Sequence, residues 1–545
     1  MPFFGGFRRK SIIRRSIQTT WFAIAIVVLV LAGFLGKMFW ESYQSRQQYR
    51  QLLAEMDRQQ PGWRWQSMVE AMPNLPPENN NLLIMLEAEE RKNNYQQFTI
   101  YSGRYYSDIL RSYHVHRSQE EIKILEEFLT GNESSFHLLR RLHEFPDGQM
   151  QAKANMLPKG TSDDTYLNSI LTCANFLRLE FEYRCHLGQK SAALNVLRSM
   201  VNCTDSINFS TGLRGHIIRC NVLINLCWSA ERLLGLFELT ESELVQLSQI
   251  LTDIEFTKRF QESCAGERAQ IAFLCEQLSS GELSLKEYLR EYFSYTMTPP
   301  EYQYWLNYSH NWSEEILNLL RHANRIVEAS QMTPETMLGF LQHISRPPYI
   351  QEDKKHHQLL SRLHQTDRIG FDIYLRGLAK LGSLQGAIQL ERYRLQHGYW
   401  PADQVELERF SGALPADPYN SESLKMHHFS GAVSIYSVGI NLRDDFGWVH
   451  PRKVFFTTSG RPGERNSSGD IGTLLWHPER RGLPPMKAEL NPPKITNNVI
   501  QRNALIPYES PGIELPASLE LAETGPAPRE VLVAPESQPI PVGGR

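Results

Sequence analysis

The sequence predicts a mainly α-helical, membrane-anchored protein that closes with a small α+β module and a disordered tail. Three observations carry this. A charge-free apolar run stands near the N-terminus behind a cluster of cations. Apolar residues then recur at helical spacing over most of residues 82–397. Beyond Gly398 the period falls to two for a short stretch, before proline takes over the composition. The expected divisions are a cytoplasmic basic segment (1–16), a transmembrane helix (17–40), a juxtamembrane helix and linker (41–81), a large α-helical extracytoplasmic domain (82–365), an α+β module with an antiparallel sheet (366–477) and a Pro-rich disordered tail (478–545).

The anchor comes first. Residues 21–36 read WFAIAIVVLVLAGFLG, without a charged or strongly polar side chain. Extended to Trp40, the run reaches about 20 residues, enough to cross a hydrocarbon core of roughly 30 Å. Arg8, Arg9, Lys10, Arg14 and Arg15 precede it, and the first acid is Glu41. This asymmetry predicts an inner-membrane protein with its N-terminus in the cytoplasm and its bulk on the far side. Trp21 and Trp40 suit the two interfaces. A cleaved signal peptide is the competing reading. It ranks lower because neither an A-x-A-like site nor a lipobox cysteine follows the apolar stretch.

A polar helix continues from Glu41 and stops near Pro61-Gly62. The connector MPNLPPENNN spans 72–81. In the helical region, Thr240-Glu241-Ser242-Glu243 is a capping box, in which hydroxyl and carboxylate each satisfy an orphan N–H. Leu244, Leu247, Ile250 and Leu251 then form one apolar stripe. Thr333-Pro334-Glu335 offers a cap, a proline at the first helical position and an acid in the first turn. Residues 367–396 carry Ile373, Leu378, Leu381, Leu384, Ile388 and Leu395 at helical spacing, and Gly398 is placed to end that helix. No fixed repeat length emerges that would establish a solenoid.

The period then changes. Val405–Phe410 suits a short helix, and Pro415-Ala416-Asp417-Pro418 a tight connector. Leu424–Phe429 and Val433–Val438 read as strands joined by a Ser430-Gly431 turn. Lys453–Thr457 and Ile471–Trp476 are further strand candidates, separated by a Gly/Ser loop at 459–469. From Pro478 the Pro-rich composition cannot bury enough apolar surface to offset its ordering entropy.

The net charge of −3 and the lack of a basic domain argue against a nucleic-acid partner. Seven cysteines fall between Cys173 and Cys275. An extracytoplasmic setting permits disulfides, but an odd count leaves at least one thiol over, and most sit in apolar helical pattern as small hydrophobes. There is no C-x-x-C, no H-E-x-x-H, no G-x-S-x-G and no P-loop. Asp445-Phe446-Gly447 and Ala534-Pro535-Glu536 spell two protein-kinase tripeptides. The Gly-rich loop, the strand lysine and the H-R-D loop that phosphoryl transfer requires are missing upstream. His427 and His428 are neighbours on a strand, so they point to opposite faces and do not share a metal.

Four strings stand in a telling order: ERYRLQHGYWP (391–401), LPADPYNSESL (414–424), IYSVGINLRDDFG (435–447) and GDIGTLLW (469–476). This order resembles the C-terminal module of a group of uncharacterised membrane-anchored planctomycete proteins. More distantly it resembles the β part of the major pseudopilin of type II secretion systems, with its D-P turn, short antiparallel sheet and closing D-I segment. The chain departs from prepilins where Gly6-Phe7 is followed by Arg8-Arg9-Lys10, with no glutamate before the apolar run. The resemblance implies a pseudopilin-like module and a calcium ion in the acidic loop, with Asp444, Asp445 and Asp470 as ligands. Calcium takes six to eight oxygens from carboxylates and carbonyls in a flexible loop. Phe446 stands where the family prefers glycine. Without a cation, Asp444 and Asp445 solvate a turn and Asp470 caps a strand.

The expected function is a structural or interaction role at the membrane, without a catalytic site. The alternatives are a secretion or pilus-like assembly component, and an extracytoplasmic hydrolase whose site is scattered over the helices. The expected partners are the membrane, through residues 17–40, and other proteins.

Overall fold

The computed structural model describes residues 6–92, 113–150, 160–284, 312–344, 358–447, Val449 and 470–484. The first helix, α1 (Gly6–Gln59), is uninterrupted. At 1.5 Å per residue it is ~80 Å long. Every side chain from Trp21 to Lys37 is exposed, which matches an element long and apolar enough to cross a membrane. Pro61 and Gly62, the latter at φ +81°, turn the chain out of the helix as expected.

The far end of α1 belongs to the body. A short α2 (Trp65–Glu70) follows, and further on come α3 (Asn81–Glu90), α4 (Gln119–Gly131), α5 (Glu133–Arg140), α6 (Gly160–His186), α7 (Lys190–Asp205), α8 (Gly212–Leu236), α9 (Glu241–Thr252), α10 (Phe256–Ser280), α11 (Trp312–Ser330), α12 (Pro334–Ile344), α13 (Gln358–His397) and α14 (Gln404–Ser411). Tyr49 and Met56 of α1 and Trp63 beyond it are buried among Ile271, Leu274 and Cys275 of α10 and Ile316, Leu317 and Leu320 of α11. Arg268 stacks over the Trp63 ring at 4.9 Å and donates to Gln60.

Local chemistry starts these helices. Asn80 caps α3, its side chain accepting from the Leu82 N–H. The Thr240/Glu243 capping box opens α9 as expected, and Leu244, Leu247, Ile250 and Leu251 are all buried. A second box, Ser118/Glu121, opens α4. Thr333 sits before α12, its Oγ1 accepting from the Thr336 N–H.

The sheet is a three-stranded antiparallel meander, β1 (Lys425–Phe429), β2 (Ala432–Ser437) and β3 (Ile471–Trp476), in sequence order. Lys425 pairs with Tyr436 and His427 with Ser434, while Ser434 also faces Leu474. Val433, Ile435 and Leu475 of one face join the main core with α13. The approach is close: a Cβ on Gly386 of α13 would lie 2.9 Å from Ile435 Cγ2.

Three expectations change. One hydrophobic core runs from Leu82 to Leu475, so the division expected at residue 365/366 does not separate two cores. The reason is α13, which packs on α8 of the helical region and on β2 and β3. Pro478–Leu483, expected within the tail, are folded: Pro478–Arg480 forms a helical turn and Arg481 is buried. Leu395, expected on the apolar stripe, is 39% exposed, and Tyr393 supplies the buried contact at that end of α13. All seven cysteines are free, buried thiols. The strand candidate at 453–457, the loop at 459–469, His356-His357, Ala534-Pro535-Glu536 and residues 485–545 lie outside the described residues.

Candidate functional site

Beyond β2 the chain makes a tight turn through Leu442 and Phe446, both with positive φ (+55° and +59°) and both exposed. Non-glycine residues hold such angles only where surrounding bonds fix them. Here the bonds come from acids. Asp444 accepts from Lys425 Nζ (2.8 Å), the Tyr436 hydroxyl (3.0 Å) and the Phe446 N–H (2.9 Å). Burial pushes its pKa up, but those three donors outweigh burial and hold it below the usual carboxylate value. Asp445 accepts from Asn441 Nδ2 (3.3 Å) and faces Arg443 at 3.7 Å. Asp470, buried at the foot of β3, accepts from the backbone N–H groups of Asp445 (3.2 Å) and Gly447 (2.7 Å). Burial, and then the nearby Asp445 and Asp444 carboxylates, push the Asp470 carboxyl up to about 7 against those two donors.

The three sequence-predicted acids therefore lie around one loop, and it is the backbone N–H groups of Asp445 and Gly447 that bond to Asp470. Gly447 makes the closure feasible, since a Cβ there would sit 2.3 Å from Ser434 Oγ. That hydroxyl is buried without a hydrogen-bond partner among the described residues. A cation taken between these acids has to compete with the Lys425 ammonium on Asp444. Among the described residues no group of three or more His, Cys, Asp or Glu is arranged to hold a metal. The kinase reading gains nothing, as Asp445-Phe446-Gly447 is simply the end of this turn. His427 and His428 diverge, with His428 Nε2 on the Pro401 carbonyl at 2.9 Å.

Sequence reasoning missed a fourth acid. Asp417 is buried and accepts from Ser437 Oγ (2.8 Å), the Val438 N–H (2.8 Å) and the Tyr419 N–H (2.9 Å), tying the connector before β1 to the end of β2. It also missed a set of buried ion pairs behind the sheet. Lys380 of α13 joins Glu231 of α8 and the Gly472 carbonyl of β3. Burial raises the Glu231 carboxyl despite Lys380. Arg232 pairs with Glu182 at 2.5 Å, and Arg117 approaches the same carboxylate at 3.5 Å. Burial pushes Glu182 up, but the cations of Arg232, Arg117 and Arg178 prevail and lower it. Arg481 grips both oxygens of Glu391, at 2.5 and 2.9 Å. One signal was available: Lys380 and Glu231 fall among apolar neighbours on helices whose other faces are also apolar. Arg481 gave none, because it lies in composition typical of a tail.

Chemically, Glu182, Glu231 and Glu391 are matched to cations and, like Asp417, shut away from solvent. Such pairing ties the elements that carry these residues to one another. Compared with known proteins, the chain matches no family model, no curated protein and no solved structure.

Proposed function

We propose that this chain is a single-pass membrane-anchored protein whose folded body acts extracytoplasmically in a structural or interaction role. The observation that carries the reading is the dual character of α1. Every residue of its Trp21–Lys37 stretch is exposed, while Tyr49 and Met56 are buried in the body. A helix of this kind is an anchor built into the domain it holds. The pairing of the buried acids described above supports a role without turnover.

The test is protease protection on sealed inner-membrane vesicles carrying the full chain. The expected outcome is that the body is cleaved only from the extracytoplasmic side and the Arg8–Arg15 end only from the cytoplasmic side. Cleavage of the body from the cytoplasmic side overturns the orientation.

A second reading concerns the acidic turn. It is a calcium ion taken at the loop of Asp444, Asp445 and Asp470, whose carboxylates would have to turn from their present partners to bind it together. Chelated protein should then melt at a higher temperature when calcium is restored, and Asp470→Asn should abolish the rise. An unchanged melting temperature removes the ion from this reading. A secretion or pilus-like assembly role remains the alternative function, and an N-terminus found intact by mass spectrometry argues against it.

A further inference from the structure

We propose that His114 and His116 form a proton-operated latch, which holds the segment after β3, Pro478–Leu483, on the body and releases it in acid. The latch stands independently of the membrane anchor. Its first support is the crossing of the two segments. The His116 N–H donates to the Leu483 carbonyl (2.8 Å), and the Leu483 N–H donates to the His114 carbonyl (3.1 Å), around a parallel bridge between Val115 and Leu483. Both imidazoles press on the chain they hold. The His114 ring lies 3.9 Å from the Trp476 ring at the end of β3. Gly482, at φ +61°, passes so close that a Cβ there would lie 3.1 Å from His116 Nε2 and 3.2 Å from the Leu236 carbonyl oxygen at the end of α8.

The second support is the charge around the rings. Arg232 of α8 donates to the Val115 carbonyl between the two histidines (3.2 Å). Arg480 of the crossing segment also acts on His114, and His186 of α6 on His116. The acids of the adjoining elements are engaged: Glu182 of α6 by Arg232 and Arg117, Glu391 of α13 by Arg481 and Arg394, and Glu231 of α8 by Lys380. Tyr113 stays neutral, because burial raises its hydroxyl. His114 Nδ1 is buried with no acceptor among the described residues. A proton on either ring therefore arrives beside cations, and opening the crossing gives it to water. Burial first, then Arg480 and Arg232, push His114 down to about 4 from 6.5, and burial, Arg232 and His186 lower His116. The closed form is thus fully favoured above about pH 6.5 and loses that favour as pH falls towards 4. From His114 alone, the ratio of open to closed crossing should rise about twentyfold between pH 7 and 5, and His116 adds to it. Glu182 and Glu391 stay ionised across this window. Burial raises both, but their arginines outweigh it and hold them below the usual carboxylate value.

Hydrogen exchange of the full chain in detergent supplies the test, because the His116 and Leu483 N–H groups bridge the crossing. After correction for the intrinsic pH dependence, exchange at these two amides should rise about twentyfold or more from pH 7 to 5. The amides of α9 should keep their corrected rates. His114→Phe/His116→Gln keeps an aromatic ring against Trp476 and removes both titrating groups. In that variant the rise should shrink below about threefold. A variant whose crossing is already loose at pH 7 still decides the matter, through the ratio of its two rates. A wild-type ratio near one, an equal rise in α9, or a full rise kept in the double variant each overturns the latch.

Discussion

Asp417 shows how much one buried carboxylate can organise. Two of the three groups it receives are backbone N–H groups, which have no other place to go once the connector closes over them. Asp417→Ala leaves those donors stranded and should destabilise the protein by about 3 kcal/mol, read from urea unfolding. Asp417→Asn keeps an acceptor and should cost less. Asp444 is held differently. Its partners Lys425 and Tyr436 come from β1 and β2, so it ties the turn to the sheet surface, while Asp470 ties the same turn to β3. The resemblance of Asp445-Phe446-Gly447 to a phosphate-handling motif dissolves at this scale. The geometry around these residues serves the turn's own backbone.

Among the elements, the segment following β3 is the least expected. It crosses back over the body as a strap. The Leu483 N–H donates to the His114 carbonyl (3.1 Å), and the His116 N–H donates to the Leu483 carbonyl (2.8 Å). Arg481 locks the crossing onto Glu391 of α13, and Trp476 stacks on His114 at 3.9 Å between ring centres. Removing the charge with Glu391→Gln leaves a buried guanidinium with a neutral partner. It should cost about 3 kcal/mol, with faster amide exchange concentrated in residues 481–483 and 114–116. The strap is also sensitive to acid. Burial first, then Arg480 and Arg232, push the His114 imidazole down to about 4 from its ordinary 6.5. A histidine held neutral in the fold contributes its stability fully above about pH 6.5 and loses it as pH falls towards 4. Exchange in the strap, corrected for its intrinsic pH dependence, should therefore accelerate between pH 7 and 5. In His114→Phe that acceleration should be weaker.

For the molecule as a whole, the consequential joint is between anchor and body. Only Glu41 to Gln48, ~12 Å of helix, separates Trp40 from the first buried contact at Tyr49. No glycine or proline lies in that interval to act as a hinge. On the proposed anchoring, the body is held close to the membrane surface in one orientation. Met56→Ala opens a cavity in the joint and should cost about 3 kcal/mol of local stability. Spin labels at Trp40 and Gln277 should show a distance distribution that is narrow in the wild type and broader in this variant. An equally narrow distribution in the variant removes Met56 as the clamp.

Local rules were enough for much of this protein. The apolar span, the stop at Pro61-Gly62, the Thr240/Glu243 box, the end of α13 at Gly398 and the three described strands were all legible, because each depends on neighbours within a turn or a strand length. That Asp444, Asp445 and Asp470 lie around one loop was legible too, through the order of short strings around them. What the sequence could not reveal lay in pairs far apart along the chain. Lys380 meets Glu231, Arg481 meets Glu391, and Tyr49 meets Cys275 only because tertiary packing brings their elements together. The packing of α13 merged two expected domains into one core, and Arg481 on Glu391 keeps Pro478–Leu483 folded against a Pro-rich composition. Local spacing determined where helices and strands form. Which surfaces they bury, and which charges they are obliged to pair, is a long-range balance of desolvation against ion pairing that only the tertiary structure decides.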